Sequence, residues 1–144
     1  MNILLTGGAG YIGSHTANVF LDHGHRVAVI DNLVNGHKSL IPKKAEFLNC
    51  DIADQDRVSH FLEKNKFDLV IHFAGFTRVG ESTKEPEKYY YNNFEKPKIF
   101  FKCCLNHGLN KIIFSSTGSI YGNVNKRNIL ETEKPNPLNP YSDS

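Results

Sequence analysis

Asn2-Ile3-Leu4-Leu5-Thr6-Gly7-Gly8-Ala9-Gly10-Tyr11-Ile12-Gly13-Ser14-His15-Thr16 is the stretch that decides the fold. A short apolar run ends in a cluster of glycines, and after it Ile12, Thr16, Val19 and Phe20 recur at the spacing of one helix face. The spacing predicts a strand, a tight turn and a helix whose inner face carries those four residues. Glycines at 8, 10 and 13 form G-x-G-x-x-G, and those at 7, 10 and 13 form G-x-x-G-x-x-G. Lacking a Cβ, such a turn lets the backbone approach a pyrophosphate, whose charge meets the unpaired amides and positive dipole end of the helix that follows. Gly24 is placed to end that helix, and Arg26 to Ile30 form a second β-rich run closing at Asp31, which completes a βαβ unit.

Asp31 stands 18 residues beyond Gly13, where a carboxylate accepts hydrogen bonds from the adenosine ribose hydroxyls and repels a 2′-phosphate. No Arg or Lys follows until Lys38, so the expected cofactor is NAD rather than NADP. Asp51 and Ile52, after a short third strand at Ala45 to Asn49, could contact the adenine edge, although an Asp at a strand end is more often a turn former.

Further along, Asp54 is a natural N-cap for a helix carrying Val58, Phe61 and Leu62 on one face, and Asp68 to Phe73 form a fourth strand. A long helical pattern from about Pro86 to His107 puts Tyr90, Phe94, Phe101, Cys104 and Leu105 on one face, with a break expected near Lys96 because Pro97 removes a backbone donor. Lys111 to Ser115 form a fifth strand, and the remainder reads as loop. Strands alternating with helices imply an α/β fold, a doubly wound parallel sheet of the Rossmann kind in the order 3-2-1-4-5, unfinished after the fifth strand. Ser115, Ser116 and Thr117 follow that strand at the carboxyl edge, where such sheets bind their ligands.

Composition fits one globular domain: 144 residues, 40% hydrophobic, 22% charged, with a net charge of +2. No apolar run has the length of a membrane span, no signal-peptide pattern opens the chain, and the cytoplasm is the default expectation. Basic residues are scattered, which gives no electrostatic footprint for nucleic acid. Cys50, Cys103 and Cys104 form an odd set without metal-ligand spacing and read as reduced thiols, no metal site is expected, and His72 reads as a core residue.

Beyond these local readings, T-G-G-A-G-Y-I-G-S-H-T from Thr6, D-N-L-V-N-G from Asp31 and H-F-A-G-F-T-R-V-G-E-S from His72 carry a family resemblance. Y-Y-Y-N-N from Tyr89, F-S-S-T-G-S-I-Y-G from Phe114 and N-P-Y-S from Asn139 extend it along the whole chain. Together they resemble the UDP-glucose 4-epimerases, a group of extended short-chain dehydrogenases. The resemblance implies NAD contacts from Gly7, Gly10, Tyr11, Ile12 and Gly13, from Asp31, Asn32, Asn35 and Gly36, from Asp51 and Ile52, from Phe73, Ala74 and Gly75, and from Asn92. It places the catalytic hydroxyl at Thr117 and the catalytic tyrosine at Tyr141. The implied reaction interconverts UDP-glucose and UDP-galactose through a 4-keto sugar, in an enzyme that is a homodimer when complete.

Two alternatives stand beside it: a fragment of another nucleotide-sugar epimerase or dehydratase, and a non-catalytic NAD-binding interaction module. Glycine and serine after Thr117, where dehydratases carry acidic residues, speak against the dehydratase. The family's lysine, one helical turn after its tyrosine, would fall just past Ser144. A tyrosine base needs such a cation to lose its proton near neutral pH. Residues 1–144 are thus expected to be an incomplete NAD-binding domain, without the nucleotide-sugar lobe and without turnover, and with Tyr141 too close to the end to sit in a formed helix. Thr77 replaces a family lysine facing the cofactor.

Overall fold

A computed structural model describes residues 1–124 and 128–144. In chain order the elements are β1 (Asn2–Thr6), α1 (Tyr11–Asp22), β2 (Arg26–Ile30), a 3-10 turn (Lys38–Leu40), β3 (Glu46–Leu48), α2 (Gln55–Lys64) and β4 (Leu69–His72). Then follow α3 (Val79–Lys84), α4 (Pro86–Tyr90), a π-helical turn (Tyr91–Glu95), α5 (Lys96–Asn106), β5 (Ile112–Phe114), a second 3-10 turn (Gly118–Tyr121) and α6 (Pro140–Asp143). They fall into two compact units, Met1–Gly75 with Lys96–Ser115, and Phe76–Glu95 with Ser116–Ser144.

The first unit is a parallel sheet in the order β3-β2-β1-β4-β5, as the alternation of strands and helices predicts. Successive residues of a strand face opposite sides, so β1 feeds two cores. Leu4 joins Ala28, Ile30, Val70 and the inner faces of α2 and α5, while Ile3 and Leu5 join Val27, Val29, Ile71 and Ala17 of α1. Asp54 caps α2 by accepting the Arg57 amide, and Val58, Phe61 and Leu62 are buried as expected.

Two helix faces differ from the sequence reading. In α1 the buried residues are Gly13, Ser14 and Ala17, whereas Ile12 and Val19 are 60% and 55% exposed. The helix leaves directly from the glycine turn and lies against backbone: a Cβ on Gly13 would stand 2.8 Å from Gly8 Cα. Small residues therefore face inward whatever the apolar periodicity. In α5 the buried residues are Pro97, Phe100, Cys103 and Cys104, and Leu105 is exposed. The expected interruption takes the form of the π turn, whose extra residue rotates the following face by about 100° and shifts the register read across it.

In the second unit the buried tyrosine is Tyr89, while Tyr90 and Phe94 are exposed. Tyr89 Oη donates to Glu81 Oε2 at 2.8 Å and accepts the Arg78 amide at 3.1 Å, which holds α3, an element the sequence reading did not contain, against α4. Lys88 Nζ reaches Glu81 Oε1 at 2.6 Å and lies 5.5 Å from the centre of the Phe76 ring. Most of the stretch after β5 is irregular as expected; residues 125–127 of it lie outside the described residues. The expectation that the end of the chain forms no helix is corrected by α6. Asn139 Oδ1 accepts the Ser142 amide at 2.9 Å, the Asn139 amide donates to Ser142 Oγ, and Pro140 fills the first helical position. This reciprocal cap meets the nucleation cost that argued against so short a helix. Tyr90 Oη then donates to Asp143 Oδ2 at 2.7 Å.

Candidate functional site

In the first unit, β1 ends in a turn that only glycine can make. Gly7 has a φ of +71°, and a Cβ there would lie 2.6 Å from the Ala74 amide nitrogen. The Gly10 amide donates to the Gly7 carbonyl at 3.1 Å, and the Ser14 amide to the Gly10 carbonyl at 3.0 Å, so the turn passes straight into α1. Gly10 is the N-cap and brings no side chain to it. The amides of Tyr11, Ile12 and Gly13 have no carbonyl one turn earlier within the helix, which makes this end a donor cluster for an anion.

Asp31 is buried at the end of β2, and its carboxylate is already at work. Oδ2 accepts the Ala9 amide at 2.9 Å and Oδ1 accepts the Leu33 amide at 2.8 Å. A carboxylate has about four acceptor positions, so capacity remains for a ribose diol. Leu33 takes a φ of +62°, which turns the chain back so that the His37 amide donates to the Ala9 carbonyl at 2.9 Å. Gly36 packs on Ala9: a Cβ there would lie 2.7 Å from the Ala9 methyl and 3.0 Å from Asp31 Oδ1. The Asn35-Gly36 pair thus belongs to the wall of the glycine turn.

Asn32 Nδ2 donates to Asp51 Oδ2 at 3.2 Å, and Asp51 Oδ1 accepts the Ala53 amide at 3.0 Å. Lys96 Nζ stands 2.5 Å from Asp51 Oδ2. Burial pushes the Asp51 carboxyl up, but the bonds from Lys96, Ala53 and Asn32 outweigh it and hold the group below its ordinary value. Ile52 is buried in the core with Ile30 and Val58, so its side chain is closed to a ligand. Beyond β4, the Phe73 amide donates to the Thr6 carbonyl at 3.0 Å, the Ala74 amide reaches Thr6 Oγ1 at 3.5 Å, and Gly75 is exposed.

Fit to a dinucleotide therefore rests on this chain's own atoms: a glycine cradle that a Cβ would fill, uncapped helix amides and a part-filled carboxylate. Tyr11 and Ile12 present exposed side chains, and what they add to the turn itself is their amides. Sequence reading missed Lys96, since nothing in spacing pairs residues 45 positions apart, and it missed Ala9, whose amide and carbonyl both serve the turn.

Asn92, Ser116, Thr117 and Tyr141 lie in the second unit, whereas Ser115 closes the first. Asn92 Nδ2 donates to Asn93 Oδ1 at 3.0 Å, and Asn93 clamps the Phe76 backbone through bonds of 2.8 and 2.9 Å. Thr117 caps the second 3-10 turn: its Oγ1 accepts the Ser119 amide at 3.2 Å and lies 3.0 Å from Ser119 Oγ. Tyr141 is half-buried on α6, which packs against that turn. Ser115 and Ser116 are exposed. Among the described residues no cluster of three His, Cys, Asp or Glu side chains could hold a metal, and no helix is long and apolar enough to cross a membrane.

The family model described as the NAD dependent epimerase/dehydratase family matches residues 3–144. The chain belongs to that family. This epimerase/dehydratase chain is 41% identical over 144 residues to UDP-glucose 4-epimerase of Lacticaseibacillus casei, covering 100% of itself and 44% of that relative. It is 38% identical over 149 residues to probable UDP-arabinose 4-epimerase 3 of Oryza sativa subsp. japonica, covering 37% of it. The crystal structure of UDP-glucose 4-epimerase from Brucella ovis in complex with NAD superimposes with a TM-score of 0.95 at 41% identity, over 99% of this chain and 43% of that one. The epimerase/dehydratase chain thus spans less than half the length of these relatives.

Proposed function

We propose that this chain is the NAD-binding part of a UDP-sugar 4-epimerase, with UDP-glucose and UDP-galactose as the substrate pair. The observation that carries the cofactor reading is the Asp31 carboxylate, buried beside the glycine turn and bonded to the Ala9 amide. A negative group at this place accepts a ribose diol and rejects a 2′-phosphate. The Brucella ovis relative, solved with NAD, supports the same reading.

When bound, NAD supplies an acceptor and donor of hydride for a carbinol carbon. On this reading Gly7, Gly10 and Gly13 and the amides of Tyr11 and Ile12 hold the pyrophosphate, and Asp31 with Asn32, Asn35 and Gly36 holds the adenosine ribose. Asp51 and Ile52 lie toward the base, and Phe73, Ala74, Gly75 and Asn92 complete the contacts. Thr117 hydrogen-bonds the reacting sugar oxygen and Tyr141 takes and returns its proton, roles supported by their match to the family pattern. The complete enzyme works as a homodimer in the cytoplasm.

Calorimetric titration of the 144-residue chain tests the cofactor reading. NAD should bind at least about tenfold more tightly than NADP, and Asp31→Ala should erase the difference. Equal affinities in the unaltered chain would overturn it. A coupled assay for UDP-glucose formation from UDP-galactose should show no turnover by this chain. Turnover that vanishes in Tyr141→Phe would overturn the restriction to cofactor binding.

A further inference from the structure

We propose that Lys96 sets the base selectivity of the dinucleotide site by occupying Asp51, so that the site discriminates only weakly between a 6-amino and a 6-oxo purine. This deepens the cofactor reading above and rests on it.

Lys96 directly follows the π turn as the first residue of α5. Its ammonium pairs with Asp51, with Nζ 2.5 Å from Oδ2 and the lysine side chain only 17% exposed. The same Oδ2 accepts Asn32 Nδ2, and Oδ1 accepts the Ala53 amide. Three of the roughly four acceptor positions of this carboxylate are therefore taken by the protein itself. Its charge is also neutralised at contact distance.

Asn32 directly follows Asp31, so a base carried on a ribose held by Asp31 comes to the Asn32–Asp51 end of the site. An exocyclic amino group is read by a hydrogen-bond acceptor with capacity to spare, and an oxo group in its place is rejected when it faces an unshielded carboxylate. Asp51 without Lys96 would be such a carboxylate. With Lys96 in place it is a shielded, nearly saturated one.

The test compares NAD with nicotinamide hypoxanthine dinucleotide by calorimetry on the full chain. The unaltered chain should bind the two within about threefold of each other. Lys96→Met and Lys96→Gln should each raise the preference for NAD to about tenfold or more, whereas Lys96→Arg, which keeps the ion pair, should leave it near the starting value. The readout is a ratio of two affinities in one protein, so a general loosening of the fold that weakens both ligands alike does not move it. A preference for NAD of about tenfold or more in the unaltered chain, or an unchanged ratio in both Lys96→Met and Lys96→Gln, would overturn the role of Lys96 while leaving the cofactor reading intact. Failure of NAD itself to bind would overturn the cofactor reading, and this inference with it.

Discussion

Thr6 Oγ1 lies 2.7 Å from His72 Nδ1, in a buried hydrogen bond that joins the last residue of β1 to the last residue of β4. The Ala74 amide points at the same Thr6 oxygen. Nε2 has no hydrogen-bond partner among the described residues, and the ring is enclosed by Phe100, Phe101 and Phe114 at centroid distances of 6.1, 5.0 and 5.5 Å. Burial among those rings pushes the imidazole pKa down from 6.5 to about 4.

Acid should therefore destabilise the chain through His72. Above pH 6.5 the ring is neutral folded and unfolded, and its contribution is fully present; between 6.5 and about 4 the unfolded chain takes up a proton that the folded chain does not. Stability should fall across that window by about 3 kcal/mol. Urea unfolding at steps between pH 7 and 4 measures it. His72→Phe should flatten the slope, and an unchanged slope in that variant would place the acid sensitivity elsewhere.

Replacing Thr6 by Val keeps the shape of the side chain and removes the hydroxyl. With His72 Nδ1 left unpaired inside the core, unfolding free energy should drop by about 1 to 3 kcal/mol. Thr6→Ser keeps the bond and should recover most of the loss.

Asp31 should matter before any ligand arrives. Asp31→Ala withdraws the acceptor from the Ala9 and Leu33 amides, so the variant should lose about 1 to 3 kcal/mol in a denaturant titration without cofactor. A stability equal to that of the unaltered chain would mean that water replaces the carboxylate at no cost.

All three cysteines are buried, and burial raises each thiol: Cys50 to about 11, Cys104 to about 12, and Cys103 upward as well. The nucleophile is the thiolate, which is scarce here near neutral pH. A disulfide reagent at pH 8 should leave the folded chain unmodified and titrate three thiols once it is unfolded. Fast modification of the folded chain would show that the packing of α5 opens readily.

Much of this could be read without coordinates because the signals are local. The glycine spacing from Gly7 to Gly13, the carboxylate at Asp31 and the cap at Asp54 each act within a few residues, and the strand order follows from the alternation of elements. What escaped the sequence depends on neighbours far along the chain or on phase. Ile12 and Val19 obey helical periodicity yet face out, because the backbone behind α1 admits only Gly13, Ser14 and Ala17. The register of α5 was lost because Pro97 marks an irregularity without saying whether a helix kinks, stops or widens. The short α6 depended on a cap between Asn139 and Ser142, recognisable only once the geometry is seen. Lys96 met Asp51 through the fold alone.

Ala9 is held at its amide by Asp31, at its carbonyl by the His37 amide, and at its methyl by the close backbone of Gly36. A loop pinned at three points has little conformational entropy left to surrender, so an arriving pyrophosphate meets a finished mould rather than a chain that must be ordered around it. Association should then proceed at the pace of encounter, without a slow isomerisation of the turn, and the Ala9 and His37 amides should already resist hydrogen exchange in the ligand-free protein.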